Sequence, residues 1–105
     1  HMVKFAELHL SENCSLQLIA KEMNMNANYL GQLFKRETGK TYSAYVTELR
    51  IEKAKEMLVS GDLSINEIAV TLGFNDYFYF LKTFKRVSGY TPKQYRHYQK
   101  NSADI

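Results

Sequence analysis

One tract of this chain is written twice, and that duplication constrains the fold more than any other feature. Residues Ser15 to Tyr45, SLQLIAKEMNMNANYLGQLFKRETGKTYSAY, return as Ser64 to Tyr95, SINEIAVTLGFNDYFYFLKTFKRVSGYTPKQY. Identical pairs run at an offset of 49, from Ser15/Ser64 through Ile19/Ile68 and Ala20/Ala69 to Asn26/Asn75. From Tyr29/Tyr79 the offset is 50, continuing through Phe34/Phe84, Lys35/Lys85, Arg36/Arg86, Gly39/Gly89, Thr41/Thr91 and Tyr45/Tyr95. The second copy therefore carries one extra residue in or near its turn. One supersecondary unit, used twice, is the simplest structure that such a pattern specifies.

Overlapping the end of the first copy and running on toward the second is Thr41–Ser60, TYSAYVTELRIEKAKEMLVS, with neither Gly nor Pro. Its apolar residues Tyr42, Tyr45, Val46, Leu49, Ala54, Met57 and Leu58 recur mostly three or four apart, the spacing of one helix face. Thr41 can cap its start and Gly61 its end, giving a rod of about 30 Å at roughly 1.5 Å per residue. Arg50, between Leu49 and Ile51, reads as a structural residue turned partly inward to tie the two subdomains.

Each copy reads as a short helix, a tight turn and a longer helix. In the first, Ser15 is the candidate N-cap, and Leu16, Ile19, Ala20 and Met23 are the apolar positions. Asn24, which tolerates the left-handed conformation, makes the turn. A helix from Ala27 to Thr38 follows, with Leu30, Leu33 and Phe34 inward and Gly39 at its end. In the second copy Ser64 and Glu67 form a capping-box pair, S-x-x-E. Ile65, Ile68, Ala69 and Leu72 point inward, and Gly73 stands where Asn24 stood. The helix of Asp76–Ser88 places Tyr79, Phe80 and Phe84 in the core. Thr91-Pro92 then opens a short last helix to about Tyr98. Val3–Leu10 reads as a short leading amphipathic helix, followed by a loop at Ser11–Cys14. The predicted fold is all-α, with about seven helices in two helix-turn-helix subdomains (3–40 and 61–99) joined by a long central helix (41–60), with a polar tail at 100–105.

Composition narrows the function. The 105 residues suffice for one small domain, and the net charge of +3 mildly favours an anionic partner. A single cysteine, Cys14, excludes a disulfide framework and fits a reducing cytoplasm. No apolar run approaches the roughly 18 residues of a membrane span. Cys14 has no base nearby in sequence, and His1, His9 and His97 lack metal-ligand spacing, so neither an enzyme nor a metal or nucleotide cofactor is expected. His1-Met2 reads as a cloning remnant, and the chain is expected to be a piece of a longer protein.

A pair of helical hairpins can be purely structural. Three features favour DNA instead. Both long helices end in the same basic pair, Lys35-Arg36 and Lys85-Arg86, suited to phosphates. The short helices begin with capping serines, whose neighbouring free amides favour anions. The outward face of the first long helix, Asn28, Gly31, Gln32 and Lys35, is small and polar. A helix-turn-helix can project its second helix into a major groove.

The wording IAKEMNMNANYLGQLFKRETGKTYSAYVTELRIEKAKEML, and IAVTLGFNDYFYFLKTFKRVSGYTPKQYR after it, resembles the DNA-binding domain of the AraC/XylS family of bacterial transcription regulators. The likeness runs from about Ser15 to Arg96, and its second half, with F-K-R-x-x-G-x-T-P-x-x-Y-R, is the more specific. NYLGQLFKRETG further resembles the output domains of response regulators. The resemblance implies sequence-specific promoter binding, usually for activation, by a cytoplasmic protein with an upstream receiver or sensory domain and RNA polymerase as partners. The isolated piece is expected to be a monomer.

The base-reading positions that the resemblance implies are Asn28, Gly31 and Gln32 in the first copy, and Tyr77, Phe78, Leu81 and Lys82 in the second. Asn and Gln amides pair well with adenine, apolar groups with thymine methyls and Lys with guanine. Gly31 has no side chain to read with: it serves close backbone approach or is silent. Expected phosphate contacts are Lys35, Arg36, Lys40, Lys85 and Arg86, with Ser15, Tyr42 and Ser64 behind them. One turn of DNA, about 34 Å, is close to the rod's length, so both helices are expected to enter successive major grooves. The rival reading is a protein-interaction module that uses the apolar Tyr77, Phe78 and Leu81 surface against an upstream domain or RNA polymerase.

Overall fold

The computed structural model describes residues 16–103, and everything described is helix or turn. Six helices follow in order: α1 Leu16–Glu22, α2 Ala27–Thr38, α3 Tyr42–Ser60, α4 Ile65–Thr71, α5 Tyr77–Ser88 and α6 Pro92–Ala103. The expected leading helix and the N-cap role of Ser15 fall outside the described residues. The last helix is longer than its sequence suggested, running to Ala103 instead of ending near Tyr98. No helix-breaking Gly or Pro follows Pro92, so nothing in the sequence stops it.

The chain divides into two compact units, residues 1–49 and 50–105. In the first, Ile19, Ala20, Leu30, Phe34, Tyr42 and Val46 form the buried core. Phe34 sits edge-on between Tyr42 and Tyr45, with ring centroids 5.4 and 5.3 Å away. In the second, Ile51, Ala54, Leu58, Ile68, Ala69, Leu72, Phe74, Phe80 and Phe84 are buried together. The central helix serves both cores, its first turns giving Tyr42 and Val46, its later turns Ile51, Ala54 and Leu58.

The two turns explain why the repeat builds the same hairpin twice. In the first, the Asn24 N–H donates to Lys21 O (3.2 Å) and the Met25 N–H to Ala20 O (2.8 Å). In the second, the Gly73 N–H donates to Val70 O (3.1 Å) and the Phe74 N–H to Ala69 O (3.0 Å). This is the Schellman arrangement, and it needs a left-handed residue at its centre. Asn24 (φ 55°) and Gly73 (φ 87°) supply it. Next comes the cap of the longer helix: Asn26 Oδ1 accepts from the Tyr29 N–H, and Asp76 Oδ1 from the N–H groups of Phe78 and Tyr79. The structural equivalent of Asn26 is thus Asp76, not Asn75, and the extra residue of the second copy is Asn75 itself.

Two further contacts fasten the second unit. The Arg96 side chain donates from Nε to Leu58 O (3.1 Å) and from Nη2 to Leu63 O (2.6 Å). These bonds satisfy one of the last carbonyls of α3 and one in the loop after it. The Arg50 guanidinium lies 5.8 Å from the centroid of the Phe74 ring, a cation–π contact within this unit.

Candidate nucleic-acid interface

Each long helix presents one continuous outward face. On α2 the exposed residues Asn28, Tyr29, Gln32, Lys35 and Arg36 fall within an arc of about 120° at roughly 100° per residue. Phe78, Tyr79, Lys82, Lys85 and Arg86 occupy the same positions on α5 and are likewise exposed. Gly39 and Gly89 (φ 81° and 87°) end the helices just beyond the basic pairs. Lys35, Arg36, Lys82, Lys85 and Arg86 form no ion pair with another described residue. Lys40 differs: its Nζ is paired with Glu48. Both partners are exposed, so the pair is worth at most about 1 kcal/mol, and a phosphate can compete for the lysine.

Several residues expected at the interface sit elsewhere. Tyr42 is 4% exposed, its ring against Phe34, which places it in the first core and not on a phosphate. Gly31 faces α1: a Cβ there would come within 2.9 Å of Leu16 Cδ2. Its bareness therefore spares the tip of the Leu16 side chain, and it has no side chain to offer a base. Leu81 holds the equivalent position on α5 and packs against the second core, as does Tyr77. Of the apolar surface expected from Tyr77, Phe78 and Leu81, Phe78 is exposed, while Tyr77 and Leu81 are partly buried against the second core. Ser15 lies outside the described residues.

Ser64 is exposed but already engaged. Its Oγ accepts from the Glu67 N–H (3.1 Å), and its own N–H donates to Glu67 Oε1 (3.0 Å). Hydrogen bonds from the Ser64 backbone and hydroxyl hold the Glu67 carboxyl below its ordinary value, so it is charged near neutrality. An anion at the start of α4 would meet that carboxylate. The capping box that made Ser64 conspicuous in the sequence is thus what disqualifies it as a phosphate site. Asp76 similarly fills the first amides of α5.

Tyr29 and Tyr79 also stand on these outward faces: the sequence pattern places Tyr79 in the core, yet it is 54% exposed, and Tyr29 is 56% exposed. Their identity at matching places in the two copies was the available signal. Among the described residues no group of three or more His, Cys, Asp and Glu is placed to hold a metal ion, and no helix is long and apolar enough to cross a membrane.

Two hairpins with small central residues, tight turns and exposed, cation-ended second helices define a double helix-turn-helix domain. The helix-turn-helix domain family matches residues 19–98, and the chain belongs to the AraC-type DNA-binding domains of bacterial transcription regulators. It is 48% identical over 90 residues to the uncharacterized transcriptional regulatory protein YesN of Bacillus subtilis, a match covering 83% of this chain and 24% of that protein. It therefore spans about a quarter of that relative's length. Among solved structures, the C-terminal domain of AraT, a response regulator from Geobacillus stearothermophilus, superposes with a TM-score of 0.88 at 34% identity, over 91% of this chain and 80% of that one. The DNA-binding domain of AdpA, in complex with a target DNA, gives 0.90 at 25% identity, over 96% and 91%.

Proposed function

We propose that this chain binds promoter DNA through α2 and α5, each entering the major groove, the two in successive grooves of one duplex. The observation that carries the reading is the repetition of one outward face. In both units two reading positions (Asn28 and Gln32, Phe78 and Lys82) are followed one turn later by an exposed basic pair with no ion-pair partner among the described residues. The relative seen with its target DNA supports the same use of the fold. Lys35, Arg36, Lys85 and Arg86 contact phosphates and set affinity. Asn28 and Gln32 offer amides that can bond adenine at both N6 and N7. The whole protein is a transcription regulator whose remaining length carries a receiver or sensory domain, and an activator's contact with RNA polymerase is its output.

With four phosphates neutralised, log K against log salt has a slope of about −4. The test is fluorescence anisotropy on duplexes that the chain itself enriches from a random-sequence pool, titrated with salt. An affinity indifferent to salt, or a failure to enrich any sequence, would refute the proposal.

A further inference from the structure

We propose that the second unit reads thymine through its 5-methyl group, with Phe78 as the residue that touches it; this rests on the DNA-binding reading above. Phe78 is 76% exposed, more than any other large hydrophobic residue described. The ring is not a frayed end. Its own N–H donates to Asp76 Oδ1 at 2.9 Å, in the capped first turn of α5. The Tyr77 ring packs edge-on against it with centroids 5.8 Å apart, and Tyr77 is itself seated on the core. An apolar ring is thus held out into solvent at a defined place.

Its surroundings say what covers it. Lys82, Lys85 and Arg86 are exposed on the same face of α5, one and two turns further along. A cationic face with one apolar ring near its leading end complements a surface with acidic rims and an apolar spot between them. The major groove is such a surface, and the thymine methyl is the apolar group that an unmodified duplex presents there. Phe78 occupies the position that Asn28 holds on α2. The two units accordingly ask different chemical questions: α2 tests hydrogen-bonding edges with amides, and α5 tests for a methyl with a ring.

Deoxyuridine differs from thymidine by that methyl alone. In the enriched duplex each thymine is replaced in turn by deoxyuridine, and dissociation constants are measured for the 105-residue chain and for Phe78→Ala. One or two replacements, confined to one half of the site, are expected to weaken the parent about four-fold each, the factor given by burying one methyl-sized group. Phe78→Ala loses that sensitivity and Phe78→Leu keeps part of it, while both melt as the parent does. A 7-deazaadenine scan, which removes the N7 acceptor, should weaken binding in the other half of the site for parent and Phe78→Ala alike. If the chain binds its enriched duplex with the expected salt slope but every deoxyuridine is neutral, the inference falls and DNA binding stands. Sensitivity that survives Phe78→Ala has the same consequence. Failure to enrich any duplex overturns both.

Discussion

Arg96 offers the most direct test of how the second unit is held together. Its guanidinium spans the end of α3 and the loop after it, bonding Leu58 O and Leu63 O. A hydrogen bond from a charged donor contributes about 1.5–3 kcal/mol when desolvated. Arg96 is only partly buried, and in Arg96→Ala water reaches part of the freed surface, so the two bonds together are worth about 2 kcal/mol rather than the upper sum. For a domain of this size each kcal/mol lowers the melting temperature by roughly 4–8 °C, so Arg96→Ala should melt about 8–16 °C lower. Arg96→Lys, with one ammonium in place of a fork, keeps one carbonyl at best and should lose about half as much. The assay is thermal melting by circular dichroism together with urea titration. An Arg96→Ala midpoint within about 0.5 kcal/mol of the parent, or an Arg96→Lys variant equal to the parent, would show that the two-point clamp is not what fastens this segment.

Gln32→Ala and Lys85→Ala should fail differently. The first relaxes preference at one base pair, costing about 1–3 kcal/mol against the best site only; the second weakens every sequence alike and flattens the salt slope by about 1, both read by anisotropy on an enriched and a scrambled duplex. Asn24→Ala places an L-residue with no compensating polar group at φ 55° and should cost about 1 kcal/mol in urea, whereas Asn24→Gly should not. The Glu67 carboxyl has its folded value depressed, so its contribution is fully present above the ordinary carboxylate value of 4.5 and is lost as pH falls through the lower folded value. The excess stability of the parent over Glu67→Gln should therefore shrink on acidification below about 4.5, followed by urea midpoints across that range.

The elements were legible because each is marked by local chemistry. Caps, left-handed turn residues and helical spacing act over three or four residues. The central rod, both long helices and the turns at Asn24 and Gly73 follow from that grammar. What failed required knowing which way a helix faces. Gly31 and Leu81 look like members of an outward set until α1 and the second core are in place to claim them. Tyr79 looks like core because Phe80 and Phe84 beside it are core, yet it stands one residue, about 100°, away from Phe80. Arg96 could not be read at all, since its partners are main-chain carbonyls 38 and 33 residues earlier that no sequence pattern announces.

On the proposed DNA-binding reading, comparing the copies separates scaffold from reader. Positions that are identical and buried, such as Ile19/Ile68, Ala20/Ala69 and Phe34/Phe84, hold the hairpin. Positions on the outward face divide in two: Asn28/Phe78 and Gln32/Lys82 differ, while Tyr29/Tyr79, Lys35/Lys85 and Arg36/Arg86 are the same. Two hairpins reading different bases must differ where they meet base edges, but every phosphate is alike, so residues that meet phosphates are free to stay identical. On the same DNA-binding reading, the exposed tyrosines are expected to belong with the cations, each hydroxyl donating to a phosphate oxygen. Tyr79→Phe removes only that hydroxyl from a ring more than half exposed, so stability should hold. Affinity should fall about ten-fold or more, as loss of one charge-assisted hydrogen bond of at least about 1.5 kcal/mol implies, and by the same factor on enriched and scrambled duplexes. If Tyr79→Phe instead altered base preference at one position and left scrambled DNA untouched, the tyrosine would be a reader, and the rule that sameness between the copies marks the phosphate contacts would be wrong.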